Sequence, residues 1–257
     1  MEQIRTYKED RRAVIILSQP EKRNALSPQM VKELSAAFKN FCGDADVKAI
    51  IVRAAGTTFC AGADLGFLKD LQQYGYAENV ADSAALRDLY YLIYTCPKPV
   101  VAEVQGHAIA GGCGLITVCD FVFAVAGAKF GYTEVRIGFI PAIVMSFLVR
   151  RIGEGHARRL LLSGELIGAE EAHALGLVTK VAPTDTLTKT VDDFVTQLLK
   201  SNSSEAMATT KKMLAEIQSM ALIDALNHGV EMNAKARSSA DCRRGIDAFL
   251  RKENLEW

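Results

Sequence analysis

Residues 100–134 read VVAEVQGHAIAGGCGLITVCDFVFAVAGAKFGYTE and contain the most informative pattern in the chain. An apolar run with strand composition, residues 100–104, is followed by a turn and then by Ala-Gly-Gly-Cys-Gly at residues 110–114. Further apolar runs occupy residues 115–119 and 121–126, and Glu134 lies just beyond them. The pattern predicts a strand, a glycine-rich turn, a short buried helix, a second strand and then a lone carboxylate.

The glycine-rich turn has two possible uses. A helix that begins at such a turn has first-turn N–H groups without intrahelical acceptors, and glycine leaves them accessible. Donors of this kind can stabilise a carbonyl oxygen as it becomes an oxyanion. A turn that serves only close packing of a strand and a helix would have the same composition, so this stretch alone leaves both interpretations open.

A second stretch has the same organisation. Residues 49–54, AIIVRA, have the composition of a buried strand, and Gly56-Thr57-Thr58 predicts a turn. The sequence FCAGADL at residues 59–65 then leads into a helical pattern, with Asp64 as a candidate N-cap. Two turns with accessible N–H groups are what an oxyanion hole for a thioester requires.

Composition narrows the classes of function. The chain has 257 residues, 49% hydrophobic residues and a formal net charge of zero. The length allows a large core, and the charge argues against nucleic acid or anionic membrane as a partner. No apolar run reaches membrane-spanning length, and charges interrupt the N-terminal sequence where a signal peptide would be apolar. We therefore expect a cytoplasmic protein.

The cysteines and histidines give no sign of a metal or a disulfide framework. The six cysteines form no CxxC pair, and most lie in apolar runs, which is typical of free buried thiols. Cys113 lies beside the glycine-rich turn, but only His107 is near it in sequence, so packing is favoured over a nucleophilic role. The four histidines lack metal-ligand spacing, and the sequence has no GxGxxG, GxxxxGK[ST], HExxH or GxSxG motif.

Periodicity predicts an α/β core followed by helices. Strands are predicted at residues 13–17, 49–54, 100–104, 121–126 and 178–181. Helices are predicted at residues 27–43, 68–96, 142–152, 155–162 and 169–175, and from residue 185 to the end. Ser27-Pro28 is a good helix start, and the segment near Gly75 could be a mobile flap. Tyr90, Tyr91 and Tyr94 are expected to be core residues.

Four segments in register connect the chain to a known family. Residues 15–26 (IILSQPEKRNAL), 59–65 (FCAGADL), 106–112 (GHAIAGG) and 133–141 (TEVRIGFIP) together resemble the crotonase, or enoyl-CoA hydratase/isomerase, superfamily over essentially the whole chain. The resemblance implies a spiral of ββα units, in residues 1–200, that form two roughly perpendicular sheets. It also implies a helical region in residues 201–257 that drives assembly into a homotrimer or a dimer of trimers.

The resemblance also implies an acyl-CoA thioester as the substrate, with no separate cofactor, since coenzyme A is part of the substrate. It maps the two oxyanion donors onto the backbone N–H groups of Ala63 and Gly111. The segments expected to bind coenzyme A contain Lys22, Arg23, Ala25, Ala61, Asp64 and Leu65. Solvated turn charges are the alternative interpretation of Lys22 and Arg23.

The carboxylates depart from the family pattern. Typical hydratases of this superfamily use two glutamates, one after the Gly-Gly-Cys of the oxyanion motif and one at the position of Glu134. This chain keeps Glu134 and has Gly114 at the first position. Glu134 is therefore expected to act alone, with a pKa raised by its apolar surroundings. A surface salt bridge with Arg136 is the alternative interpretation of Glu134.

Three functions remain open at this point. The favoured one is hydration or dehydration of a short branched substrate such as 3-methylglutaconyl-CoA, because the sequence resembles a methylglutaconyl-CoA hydratase-like subgroup that also lacks the first glutamate. A role in branched-chain amino acid breakdown follows only from that choice. The second is isomerisation of 3-enoyl-CoA to 2-enoyl-CoA by Glu134. The third, from another class, is acyl-CoA binding without catalysis.

Overall fold

The computed structural model describes residues 2–257, except for the side chains of Leu65 and Leu68. Ten strands lie within this range: β1 (Ile4–Glu9), β2 (Arg12–Leu17), β3 (Ala49–Ala54), β4 (Thr58–Cys60), β5 (Val100–Val104), β6 (His107–Ile109), β7 (Phe121–Val125), β8 (Lys129–Gly131), β9 (Ile167–Gly168) and β10 (Lys180–Ala182). Ten α-helices accompany them: α1 (Pro28–Gly43), α2 (Leu65–Leu71), α3 (Tyr76–Thr95), α4 (Gly111–Thr117), α5 (Ala142–Ser163), α6 (Ala169–Ala174), α7 (Leu187–Ser201), α8 (Ser204–Glu216), α9 (Leu222–Arg237) and α10 (Ala240–Arg251).

The larger sheet has six strands in the order β1-β2-β3-β5-β7-β10. Its central strands β2, β3, β5 and β7 pair in parallel and are largely buried. Runs of valine, isoleucine and alanine suit this position because parallel strands are covered on both faces. The strands predicted from these runs are confirmed, with shifts of about one residue at the ends.

The smaller sheet has four short strands in the order β4-β6-β8-β9. These strands have two or three residues each, too few to show an alternating pattern. The turns predicted at residues 56–58 and 105–107 overlap β4 and β6 by one residue each, and the sequence pattern predicted neither strand. This sheet nevertheless places the two glycine-rich turns beside each other, because β4 precedes one turn, β6 precedes the other, and the two strands pair in parallel.

Local signals locate the first helix well. Ser27 is the N-cap of α1, and its hydroxyl accepts a hydrogen bond from Met30 N at 3.1 Å. Pro28 occupies the first turn, where its missing N–H costs nothing. The apolar face of α1, including Leu34 and Phe38, is fully buried.

Two predicted elements have different bounds in the structure, and one strand was not predicted. The single helix predicted at residues 68–96 is two helices, α2 and α3, separated by residues 72–75. The strand predicted at residues 178–181 lies at β10, two residues later at its start. The edge strand β1 was not predicted, because only Ile4 of its residues is buried. The break predicted between residues 152 and 155 is confirmed, since Gly153 has a φ of 76° within α5.

Helix α8 packs on the core partly through one largely buried cation. Lys211 on α8 donates to the carbonyl oxygens of Ile93 at 3.2 Å and Lys98 at 3.1 Å, and it pairs with Asp120 at 2.6 Å. Helices α9 and α10 expose many apolar side chains, among them Leu222, Ile223, Leu226, Val230, Phe249 and Leu250. The boundary near residue 200 and the assembly of this region into trimers remain predictions.

All six cysteines are free, and four of them are buried. The Sγ atoms of Cys42 and Cys96 are 2.7 Å apart. Within residues 2–257, no helix is long and apolar enough to cross a membrane. No group of three or more His, Cys, Asp or Glu residues in the described part of the chain could hold a metal ion.

Replacement of Lys211 by methionine is expected to destabilise the fold strongly. The side chain of Lys211 is 11% exposed, and its removal leaves Asp120 without its cation, which typically costs about 3–5 kcal/mol. Lys212→Met is the matched control, because Lys212 is 66% exposed and lies 3.7 Å from Glu216, an arrangement worth about 1 kcal/mol or less. Urea denaturation at one protein concentration measures both losses, and equal losses would contradict this role of Lys211.

Candidate active site

The first turn presents the N–H of Ala63 on its accessible side. Leu26 and Ala63 form an isolated parallel bridge, in which Leu26 N donates to Gly62 O at 2.6 Å and Asp64 N donates to Leu26 O at 3.4 Å. In a parallel bridge the neighbours of the central residue make the bonds, so the N–H of Ala63 itself points away from Leu26. It donates to no residue that the structure describes, and Ala63 is exposed.

The second turn holds an alanine in an unusual backbone conformation. Ala110, the N-cap of α4, has φ 49° and ψ −123°, a region that a residue with a Cβ rarely adopts. Conformations of this kind cost about 1–3 kcal/mol and persist only where the surroundings hold them. Here Ala110 N donates to Gly131 O at 2.8 Å. The resulting turn leaves the N–H of Gly111, the first residue of α4, without an intrahelical acceptor.

The two turns are in direct contact, and glycine is required where they meet. A Cβ on Gly62 would lie 2.9 Å from Ala110 Cβ and 3.6 Å from Gly111 N, and the φ of Gly62 is +93°. A Cβ on Gly112 would lie 2.4 Å from the carbonyl oxygen of Cys60. No larger side chain fits at either contact. The close approach brings two outward-facing N–H groups, on Ala63 and Gly111, into one small region.

Glu134 begins a 3₁₀ helix, Glu134–Ile137, three residues after the end of β8. Since Gly131 O accepts from Ala110 N, the same strand end is tied to the second turn. Oε2 of Glu134 is buried and has no hydrogen-bond partner among the described residues. Burial raises the pKa of this carboxyl above its ordinary value.

Glu134 makes no salt bridge with Arg136 or with any other residue in the described part of the chain. Arg136 is exposed and packs instead beside Gly164, where a Cβ would lie 3.3 Å from Arg136 Cγ. The alternative interpretation of Glu134 as half of a surface ion pair was therefore wrong. Its unpaired carboxylate oxygen is available to a ligand or a water molecule.

Gly114 faces a tyrosine that sequence analysis assigned only to the core. A Cβ at position 114 would lie 2.7 Å from the hydroxyl oxygen of Tyr90 and 3.0 Å from its Cε2 atom. Tyr90 is 1% exposed, so its core position is confirmed, but its hydroxyl also donates to Gly111 O at 2.6 Å. Nothing in the sequence distinguishes Tyr90 from the neighbouring tyrosines of α3, since its contacts come from the fold.

The segments expected to bind coenzyme A lie side by side. Ala61 N donates to Arg23 O at 3.0 Å, and Lys22 lies 3.7 Å from Asp64. Asp64 also caps α2 by accepting from Phe67 N at 3.0 Å, as its position predicted. Ala25 is buried, Lys22 and Arg23 are exposed, and the side chain of Leu65 lies outside the described residues. The backbone of the two segments thus forms one continuous edge.

Asn24 was missed as a residue that supports this edge. It is fully buried and has a positive φ of 51°. Its side chain accepts from Gln19 N at 2.9 Å and donates to Ala55 O at 2.8 Å and to Thr58 O at 2.9 Å. The sequence feature that could have identified Asn24 is its place in a polar turn, because asparagine tolerates the left-handed backbone region that such turns use.

Two cavities of the protein lie elsewhere. One, of about 260 Å³, is lined by Thr117, Phe147 and Arg151 among others, and the second, of about 520 Å³, lies beside it across Asp120 and Lys211. Ala63, Gly111 and Glu134 line neither cavity. The two donors and the unpaired carboxylate, rather than the enclosed volume, mark the candidate site.

Comparisons with known proteins agree with this architecture. The family model for enoyl-CoA hydratase/isomerase matches residues 8–257. A Thermus thermophilus protein named as an enoyl-CoA hydratase is 41% identical over 93% of this chain and 94% of its own length, and a crotonyl-CoA hydratase from Syntrophomonas wolfei is 32% identical over 100% and 98%. The crystal structure of an enoyl-CoA hydratase from Mycobacterium smegmatis superposes with a TM-score of 0.94 at 27% identity, covering 99% of this chain and 98% of that one. The chain belongs to the enoyl-CoA hydratase/isomerase family of enzymes and has the crotonase fold.

Proposed function

We propose that this enzyme adds water to a short branched enoyl-CoA, such as 3-methylglutaconyl-CoA, or catalyses the reverse dehydration, with Glu134 as its single acid and base. The observation that carries the proposal is the buried, unpartnered Oε2 of Glu134 beside two turns with free N–H groups. Position 114, where typical hydratases have the first glutamate, is a glycine against which Tyr90 packs.

The two N–H groups serve the thioester in this proposal. The carbonyl oxygen lies between Ala63 N and Gly111 N, and it gains negative charge as the thioester becomes an enolate. Backbone donors held in place before the reaction need no reorganisation when that charge develops. Loss of one such donor typically costs about 2.7–4 kcal/mol of transition-state stabilisation.

Glu134 makes both proton transfers. In hydration its carboxylate takes a proton from water, and the hydroxyl group forms a bond to C3 of the enoyl chain. The electron pair of the C2–C3 double bond moves into the enolate held by Ala63 and Gly111. Glu134, now protonated, returns the proton to C2, so that water has been added and the carboxylate regenerated. A tertiary 3-hydroxyl group leaves readily in the reverse direction, which suits a branched substrate.

Coenzyme A is proposed to lie along the edge formed by the two adjacent segments. The contacts of Ala25 and Ala61 with the pantetheine and adenine, like that of Leu65, are assigned by family resemblance. Lys22 and Arg23 are exposed, so their charges are available to phosphate oxygens. Asp64, also expected in the coenzyme A site, caps α2 and lies 3.7 Å from the Lys22 side chain.

Isomerisation of 3-enoyl-CoA to 2-enoyl-CoA is the second candidate. It is favoured by the isolation of Glu134, whose raised pKa is caused by burial and not by a neighbouring charge. One carboxylate can take a proton from C2 and return it to C4. Hydration needs the same carboxylate and a bound water, so the choice depends on the substrate.

Glu134→Gln is expected to abolish the reaction while leaving the fold intact, because an amide of nearly the same shape cannot accept and return the proton. Mass spectrometry on 3-methylglutaconyl-CoA should show a gain of one water with the wild type and with Glu154→Gln, an exposed carboxylate control. If the mass of 3-methylglutaconyl-CoA is unchanged and chromatography shows a double-bond shift in a 3-enoyl-CoA, the enzyme is the isomerase and not the hydratase. No change in either substrate and no exchange of the C2 proton in deuterated water would leave only acyl-CoA binding.

The pH dependence follows from the raised pKa of Glu134. The carboxylate must be ionised to accept a proton, so kcat/KM should fall as the pH drops through this pKa. Because burial raises it, the fall should begin at a higher pH than the ordinary value of 4.5 implies. Ionisation of a buried carboxyl also opposes folding, so Glu134→Gln should be more stable than the wild type at neutral pH, with the difference shrinking under acid. A fall centred at or below 4.5 would contradict this assignment.

A further inference from the structure

We propose that Tyr90 is a positioning residue for the Gly111 donor, and that it occupies the space that a side chain at position 114 would need. The inference rests on the oxyanion hole of the proposed function and extends it to a residue outside the motifs. It starts from the close contact between Gly114 on α4 and Tyr90 on α3.

The fit between Gly114 and Tyr90 is mutual. A Cβ at position 114 would meet the Tyr90 hydroxyl oxygen at 2.7 Å, Cε2 at 3.0 Å and Cζ at 3.1 Å. The first two distances are at or below the shortest that real Cβ atoms keep from their neighbours. Any residue larger than glycine at 114 therefore excludes Tyr90 from its present place. A glutamate at 114 and a tyrosine in this position are alternatives in the same volume.

Tyr90 also holds Gly111, whose backbone N–H is one of the two proposed oxyanion donors. Its hydroxyl donates to Gly111 O at 2.6 Å, and a Cβ on Gly111 would lie 3.5 Å from the same hydroxyl oxygen. Glycine has no side chain to limit its backbone angles, so Gly111 alone would hold its N–H loosely. The strained turn at Ala110 orients the peptide on one side of Gly111. The hydrogen bond from Tyr90 fixes the peptide on the other side.

Tyr90 is itself held firmly enough to act in this way. It is 1% exposed, and its ring meets the ring of Phe147 edge-on at 6.5 Å between centroids. Burial first, and then the nearby Cys60 and Glu134, raise the pKa of Tyr90 well above its ordinary value. The hydroxyl therefore remains a donor throughout the pH range in which Glu134 titrates.

The consequence is a specific kinetic signature. A looser Gly111 N–H weakens the bond to the enolate oxygen more than the bond to the neutral thioester, so Tyr90 should influence kcat more than KM. Since Tyr90 does not titrate with Glu134, its loss should lower the rate without moving the pH at which kcat/KM falls.

Tyr90→Phe removes only the hydroxyl and keeps the ring. We expect kcat to fall about tenfold, with KM and the pH profile nearly unchanged, which is the size of effect that one neutral hydrogen bond can have. Tyr94→Phe is the matched control, because Tyr94 lies one turn later on α3, contacts Phe147 at 5.1 Å, and makes no hydrogen bond among the described residues. Equal kcat values for the two variants would overturn the inference.

An infrared measurement separates this inference from the proposed function. Butyryl-CoA labelled with ¹³C at the thioester carbonyl has no double bond to hydrate, so it reports polarisation of the bound carbonyl without turnover. The bound carbonyl frequency should be lowered in the wild type and in Tyr94→Phe, and lowered less in Tyr90→Phe. If the wild type polarises the carbonyl but does not hydrate 3-methylglutaconyl-CoA, only the proposed reaction is contradicted. If the shifts are identical in all three proteins, only the role of Tyr90 is contradicted. Absence of any shift in the wild type would remove both.

A double-mutant cycle tests the shared volume. Gly114→Ala should be destabilising in the wild type, because the new Cβ meets the Tyr90 hydroxyl at 2.7 Å. In the Tyr90→Phe background that closest contact is gone, so the same substitution should be better tolerated. The midpoints of urea unfolding should therefore be non-additive, and strict additivity would contradict the contact.

Discussion

The site depends on the contact between two turns that only small residues allow. Gly62 lies against Ala110, and Gly112 lies against Cys60, at distances that exclude any larger side chain. Parallel pairing of β4 with β6 brings the turns together, and the bridge between Leu26 and Ala63 sets the direction of the first one. Every other feature of the proposed chemistry requires this contact, because two donors must face one oxygen.

Two features of the proposed site lower the stability of the folded protein, and the rest of the fold offsets this loss. Ala110 occupies a strained backbone region, and Glu134 has a buried carboxylate oxygen without a partner. Both features oppose folding, and both have a use only when a ligand is bound. The large sheet, whose central parallel strands are largely buried, provides the stability that tolerates them. The pattern is typical of an enzyme whose functional groups are held ready before the substrate arrives.

Long apolar runs and helix caps made much of the fold predictable from the sequence. The central strands of the large sheet and the start of α1 at Ser27 followed directly from composition and capping. The small sheet did not, because two- and three-residue strands carry no periodic signal, and only the family resemblance implied it. In the site, the two turns and Glu134 were visible as motifs. Tyr90 and Asn24 were not, since their importance comes from contacts with residues distant in sequence.

A crystal structure of the protein with a saturated acyl-CoA, such as butyryl-CoA, tests the central claim most directly. The account predicts a thioester oxygen about 2.7–3.1 Å from both Ala63 N and Gly111 N. It also predicts that a Glu134 carboxylate oxygen faces C2 and C3 of the acyl chain. A thioester oxygen that contacts neither donor, or a carboxylate that points away from those carbons, would contradict it.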